Sequence, residues 1–171
     1  MGRGPEELML KIIKFLNLKK ILFALDVDSP NLKKFLKYKP FAIKPNRYEL
    51  ETNFNLIIKN QTDLLYAMKK VKQLGVKNLI VSLDKDGSYL LDENNHFYQA
   101  HPIESIDVIS AVGAGDTLIS IFCAKYLQTL DYSSSFKYAN AAAMATVSSS
   151  TIAQIKDTNK LQNNVLVTKF N

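Results

Sequence analysis

The chain has 171 residues, a mass of 19.3 kDa, one cysteine and a formal charge of +6. With 47% hydrophobic and 22% charged residues it reads as one ordinary globular domain, residues 1–171, long enough to bury a core without a disulfide or metal staple. Cys123 alone excludes an internal disulfide framework, no apolar run approaches the roughly 18 residues that span a bilayer, and the start of the chain has no apolar signal segment, so a cytoplasmic protein with no membrane partner is expected.

Residues 6–17 place Leu8, Ile12, Phe15 and Leu16 at helical spacing. The run 21–25 is short, continuous and apolar, and ends at Asp26, the pattern of a buried parallel strand. Asp28, Ser29 and Pro30 open a helix to about Lys37, with proline at an early helical position. Residues 41–43 read as a second short strand, closed by Lys44 and Pro45. Asn46 then caps a short helix, with Glu49 three residues on, where a capping box places its acid. Residues 61–74 form an amphipathic helix stopped by Gly75, and residues 78–83 another buried strand. Asp86 and Gly87 signal a hairpin, and residues 88–92 and 96–100 read as its antiparallel extension. Residues 114–129 are apolar nearly all round, which buries that helix; residues 133–149 form an alanine-rich helix that permits close approach. Residues 165–167 make a last short strand. This alternation predicts an α/β fold: an open, mostly parallel sheet with helices on both faces. Ligands of such sheets bind outside the carboxyl ends of the strands, so the segments after Asp26, Ile43 and Leu83 are the places to look.

Basic residues concentrate in the first half. Residues 1–80 hold 16 Lys and Arg against 7 Asp and Glu, and residues 81–171 hold 6 against 9. The asymmetry suits an anionic partner, and nucleic acid is one candidate. The lysines are spread over several predicted helices, however, and Arg3 and Arg47 are the only arginines. A solvated lysine-rich surface is the stronger reading, and no nucleic-acid partner is expected. His96 and His101 with one cysteine do not supply a zinc cage.

Residues 110–116, SAVGAGD, carry the strongest chemical signal. Two glycines let the backbone turn tightly and present successive N–H groups, and a helix starts at once, so its free amides and positive dipole end converge on an anion site. Asp116 in the first turn is either a dipole partner or a general base beside that site. Leu118 stands where a dinucleotide fingerprint needs its third glycine, and no P-loop sequence occurs.

Three segments resemble, in order, the motifs of ribokinase-like (PfkB) carbohydrate kinases. Val112 to Asp116 is similar to the family's second signature, Ile43 to Leu50 to its N-x-x-E motif, and Val81 to Gly87 to its nucleotide-binding strand and turn. Together they cover residues 20–152 and are most similar to 1-phosphofructokinases and tagatose-6-phosphate kinases. The resemblance implies a ribokinase-like α/β fold and an ATP-dependent sugar-phosphate kinase using Mg²⁺. Asp116 would be the base; Gly113, Ala114 and Gly115 the anion hole; Lys44, Ser82, Asp84, Gly87 and Asn140 ATP-binding; and Asn46 and Glu49 would act on Mg²⁺ through water.

Two residues depart from the family. Asp84 replaces a glycine near the phosphates, where a carboxylate repels ATP unless it turns away, and Ile121 replaces a small residue after Asp116. The family's upstream half, with its sugar-binding residues and lid, has no counterpart; Met1 to Pro5 reads as a remnant of a phosphate loop or merely a start. The expected partners are ATP, a sugar phosphate, and either a second copy of the chain or an N-terminal half. A fragment inactive alone is the leading expectation. A non-catalytic nucleotide-binding module and a basic nucleic-acid-binding domain are the alternatives.

Overall fold

A computed structural model describes residues 5–29 and 31–171. Pro30 and Met1 to Gly4 lie outside the described residues, and with them the helix-opening proline and most of the phosphate-loop remnant. The elements run α1 (Pro5–Leu18), β1 (Ala24–Leu25), α2 (Leu32–Leu36), β2 (Ala42–Ile43), α3 (Arg47–Phe54), α4 (Gln61–Lys72), β3 (Asn78–Ser82), a 3-10 turn (Asp84–Asp86), β4 (Ser88–Leu91), β5 (Phe97–Pro102), α5 (Ala114–Thr129), α6 (Tyr132–Val147), α7 (Ile155–Leu161) and β6 (Val165–Phe170).

The strands form a single sheet in sequence order, β1 to β6. The α/β class stands, but the sheet is mixed rather than mostly parallel. β1, β2 and β3 pair in parallel, whereas β3–β4, β4–β5 and β5–β6 are antiparallel. Short hairpin connections after β3 and β4 reverse the chain, whereas helical crossovers join β1 to β2 and β2 to β3; β6 returns antiparallel to β5 after α5, α6 and α7.

The period-two pattern of the strands divides the core. Ile43, Leu79, Val81, Tyr89 and Phe97 face one side with Leu36, Leu50 and Met68 from α2, α3 and α4. Ala42, Ile80, Leu90 and Tyr98 face the other side with Phe122 of α5 and Phe136 and Ala139 of α6. Helices therefore cover both faces. The small buried side chains Ala139, Ala142 and Ala145 let α6 lie close on its neighbours, as their composition predicts.

The parallel strands are shorter than their apolar runs. Pro40 and Pro45 bracket β2 and cannot donate to a ladder, so pairing is confined to Ala42 and Ile43 and to the same two positions of β1. Ile21 and Leu22 are left about half exposed. A parallel bridge between Asn46 and Ser82 resumes the ladder beyond Pro45 and brings two predicted site residues side by side.

At the opposite end of the sheet, the β4–β5 hairpin is closed by Asp92, whose side chain is almost fully buried. Its carboxylate accepts from the His96 amide at 2.8 Å and the Tyr98 hydroxyl at 3.2 Å, with His96 Nδ1 at 3.1 Å.

Candidate active site

Because β1, β2 and β3 are parallel, their carboxyl ends emerge together. Asp26 follows β1, Lys44 and Asn46 follow β2, and Ser82 ends β3. α5 starts at the same end and completes the site.

The segment before α5 adopts the geometry its glycines predict. Gly113, at φ +81°, takes the left-handed conformation and stands as the N-cap, with no side chain bonded to the helix end. The first helical bond is donated by Thr117 to Gly113 at 2.9 Å, so the amides before it carry the unsatisfied positive end of α5. Ala114 is partly diverted: its N–H donates to the Ala111 carbonyl at 3.3 Å. Asp116 sits in this first turn, exposed to solvent.

Lys44 reaches the same turn. Only 7% exposed, it brings its ammonium to 2.7 Å from the position that a Cβ on Gly115 would take. Glycine at 115 thus leaves room for the end of the lysine. The ammonium pairs with the Asp26 carboxylate at 3.4 Å. Burial pushes the Asp26 carboxyl above the usual carboxylate range; Lys44 pulls it down, and Asp116 and Glu49 push it further up. Three carboxylates therefore sense one another around a single buried lysine. This excess of negative charge suits a divalent cation, and Mg²⁺ needs only one or two protein carboxylates besides water and phosphate oxygens. Among the described residues no group of three acidic, histidine or cysteine side chains is arranged to hold a metal ion by itself.

Asn46 and Glu49 form the expected capping box of α3. Glu49 N–H donates to Asn46 Oδ1 at 2.8 Å, and the Glu49 carboxylate accepts from the Asn46 amide N–H at 3.0 Å and from its side-chain Nδ2 at 2.9 Å. The box fixes the Glu49 carboxylate at the carboxyl end of the sheet while leaving lone pairs for water.

The turn after β3 is equally defined. Gly87, at φ +87°, runs against the next strand so closely that a Cβ would lie 2.0 Å from the Ala100 carbonyl oxygen. Asp84, exposed, is itself left-handed at φ +49°. A glycine conformation is thus held by an aspartate, which tolerates that region better than most residues.

Asn140 is placed differently from the rest. It is 8% exposed, and its side chain accepts from Ser88 Oγ at 2.7 Å and donates to the Phe136 carbonyl at 2.9 Å. It ties α6 to β4 with both ends engaged. Ile121 lines a cleft of about 390 Å³ that runs from Gly113 and Asp116 along α5 toward Ile155.

The sequence reading missed Asp26 as a member of the site. Its signal was present, an acid at the carboxyl end of a predicted parallel strand, but only the fold brings it to Lys44.

Comparison with known proteins agrees with this geometry. Residues 4–159 match the model of the pfkB family carbohydrate kinases. A 1-phosphofructokinase of Borreliella burgdorferi is 32% identical over 137 residues, covering 80% of this chain and 44% of that protein. A D-tagatose-1-phosphate kinase of Klebsiella oxytoca is 26% identical over 160 residues, covering 94% and 52%. A crystal structure from Staphylococcus aureus, assigned as a phosphofructokinase, superposes with a TM-score of 0.91 at 24% identity, covering 99% of this chain and 55% of that one. The chain belongs to the pfkB family of carbohydrate kinases and has the ribokinase-like α/β fold. It spans about half the length of the curated relatives it matches. No described helix is long and apolar enough to cross a membrane.

Proposed function

We propose that this chain carries the nucleotide-binding and catalytic part of an ATP-dependent, 1-phosphofructokinase-like enzyme that phosphorylates a hydroxyl of a phosphorylated ketohexose. The observation that carries the reading is the convergence of Asp116, the uncapped start of α5 and the buried Lys44 ammonium at one point. A base, a set of oriented amides and a fixed cation are what phosphoryl transfer requires.

In this reading Asp116 accepts the proton of the sugar hydroxyl as that oxygen bonds to the γ-phosphorus and the bond to the β-phosphate oxygen breaks, releasing ADP. The N–H groups of residues 113–115 hold the charge spread over the transferring phosphoryl oxygens; those of Gly113 and Gly115 do so more than that of Ala114, which has its own acceptor. Lys44, steadied by Asp26, adds a full positive charge at the same turn. Ser82, Asp84 and Gly87 border the nucleotide. Asn140 acts through packing, by fixing α6 against β4. Mg²⁺ would supply charge neutralisation of the triphosphate, and Asn46, Glu49 and Asp26 would hold its water shell.

Positioning of the attacking hydroxyl is worth up to about 7–11 kcal/mol in such reactions. The sugar-binding and water-excluding parts are assigned to the half of the fold that this chain does not span. The isolated chain is therefore expected to bind Mg-ATP weakly and to lack sugar-dependent turnover.

Calorimetric titration with ATP, with and without Mg²⁺, tests the nucleotide site. Assays with fructose 1-phosphate and tagatose 6-phosphate, using the chain alone and joined to an upstream half, test the transfer. Saturable Mg-ATP binding with turnover only in the joined form supports the reading. Nucleotide binding with no turnover in either form would make the chain a non-catalytic module.

A further inference from the structure

We propose that Thr146, in the last turn of α6, is a positioning residue of the phosphoryl-transfer site: its buried hydroxyl holds the first turn of α5 and so sets where Asp116 and the anion-binding amides stand relative to the γ-phosphoryl group. The inference rests on the phosphoryl-transfer reading and adds to it a residue from a helix to which that reading gives only packing.

Thr146 is 2% exposed and Thr117, in the first turn of α5, is 6% exposed. A threonine hydroxyl has one proton to give and two lone pairs to receive with. The proton of Thr146 goes to the Ala142 carbonyl, 3.0 Å away on the preceding turn of α6. One lone pair accepts the Ala153 N–H at 3.2 Å. The third contact is Thr117 Oγ1, at 3.2 Å. Since the Thr146 proton is already given, Thr117 is the donor of that bond. The Thr146 hydroxyl is thereby fully used, and the direction of each of its bonds is fixed. Ala153 lies beyond α6, in the segment leading to α7, so a single oxygen ties together α6, that segment and the start of α5.

The same end of α6 holds the chain on the other side of the glycine turn. The Val147 carbonyl, at the helix end and so without an intrahelical donor, accepts the Ile109 N–H at 2.9 Å and the Ser110 N–H at 3.1 Å. Thr146 Cγ2 stands 4.0 Å from the position that a Cβ on Gly113 would take, so its methyl flanks the residue that makes the turn. Two consecutive residues, Val147 and Thr146, therefore hold the chain at 109–110 before the turn and at 117 after it. Residues 111–116 between them include the anion-binding amides and Asp116. α6 is in turn fixed on the sheet by the bond between Asn140 and Ser88.

A buried network of this kind fixes geometry while every member is satisfied. Removing the Thr146 hydroxyl strands the Thr117 hydroxyl and the Ala153 N–H, and frees the start of α5 to shift. Phosphoryl transfer tolerates little of that, since a misplacement of about 1 Å costs roughly 10²-fold. The parts of the nucleotide away from the turn do not depend on it. The loss is therefore selective for the γ-phosphoryl group.

The test compares the 171-residue chain with Thr146→Val, which keeps the branched shape and removes the hydroxyl, and with Thr146→Ser, which keeps the hydroxyl. Each is titrated calorimetrically with Mg-ATP and with Mg-ADP, and amide hydrogen exchange is followed without nucleotide. In Thr146→Val the ratio of Mg-ATP to Mg-ADP affinity should fall at least fivefold. The Thr117 and Ala153 amides should exchange at least tenfold faster, with those of Leu90 and Tyr98 unchanged. Thr146→Ser should return both readouts to within twofold of the parent. A residue that only stabilised the fold would weaken both nucleotides alike. Equal weakening, an unmoved ratio, or no rescue by serine overturns the proposal. Thr117→Val removes the other hydroxyl of the pair, leaves the Ala142 and Ala153 bonds in place, and should shift the ratio in the same direction; it decides the question if Thr146→Val does not fold. A parent chain that binds neither nucleotide overturns the functional reading and the proposal with it, whereas a parent that binds both, with an unmoved ratio in the variants, overturns the proposal alone.

Discussion

The two halves of the sheet do different jobs. From β3 to β6 the strands are four to six residues long, pair antiparallel, and enclose side chains such as Phe97, Leu90 and Asp92 almost completely. From β1 to β3 the pairing covers two residues per strand, yet Asp26, Lys44, Asn46 and Glu49 all follow from it. α5 bridges the halves: its first turn holds Asp116 and meets Lys44, and its body packs Phe122 under the sheet. The difference teaches that the antiparallel half, with α5 and α6, provides the rigid body, while the parallel half positions charges. Changes in the first region, away from the β3–β4 turn and the start of α5, should cost stability and spare nucleotide binding. Changes in the second, in that turn and at that helix start should do the opposite.

The largest effect is expected at Asp116. In the assembled kinase, Asp116→Asn should lower turnover by roughly 10²- to 10⁴-fold, the usual scale for a general base, with ATP affinity nearly unchanged. Steady-state kinetics beside calorimetry checks both; unaltered turnover removes the base assignment.

Asp92→Ala in the rigid half should cost about 2–4 kcal/mol of stability, because it strips three hydrogen-bonding groups of a buried acceptor. Urea denaturation measures this, and Mg-ATP binding below the transition should be retained. A joint loss of both would erase the division between the halves.

Gly115→Ala sharpens it from the other side. The new methyl would stand 2.7 Å from the Lys44 ammonium, so the end of the lysine must shift away from the helix start. ATP affinity should fall by about tenfold, the loss of one charge-assisted contact. Stability should hold or rise slightly, since alanine is favoured over glycine within a helix by about 1 kcal/mol.

Asp84→Gly should tighten ATP binding by less than about 1.5 kcal/mol at physiological salt, by removing an exposed carboxylate near the phosphates. It should also raise stability by roughly 0.5–1 kcal/mol, because residue 84 already sits at positive φ. Weaker binding in the glycine variant contradicts the like-charge argument.

The smallest effect concerns Cys123. Burial pushes its thiol up to about 11. At pH 8 roughly one thiol in a thousand is then ionised, so alkylation of the folded chain should be slow and should accelerate on unfolding. Rapid labelling of the native chain would mean that α5 opens locally.

Much of the site could be read from the residues because its signals are local. The capping box of Asn46 and Glu49, the glycine turn at 113 and the extent of α5 each depend on neighbours a few positions apart. What escaped depends on distant partners. Asp26 acquires its role from Lys44, 18 positions on, through strand pairing. The hydrogen bond between Asn140 and Ser88 likewise joins residues 52 positions apart across the core. The mixed sheet is partly legible: both hairpins have local turn signals, but the antiparallel return of β6 follows three helices and has none. α7 is not legible in the sequence because its segment, IKDTNKL, has little apolar periodicity and is held by α6.

The most direct test of the central division is a residue-resolved titration of the 171-residue chain with Mg-ATP by amide NMR. The account predicts saturable shifts concentrated in residues 44–49, 82–87 and 113–116, with the β4–β5 hairpin around Asp92 and the α1 flank unmoved. Absence of saturable shifts, or their concentration on the lysines of α1 and α2, would contradict it and return the chain to a generic anion-binding surface.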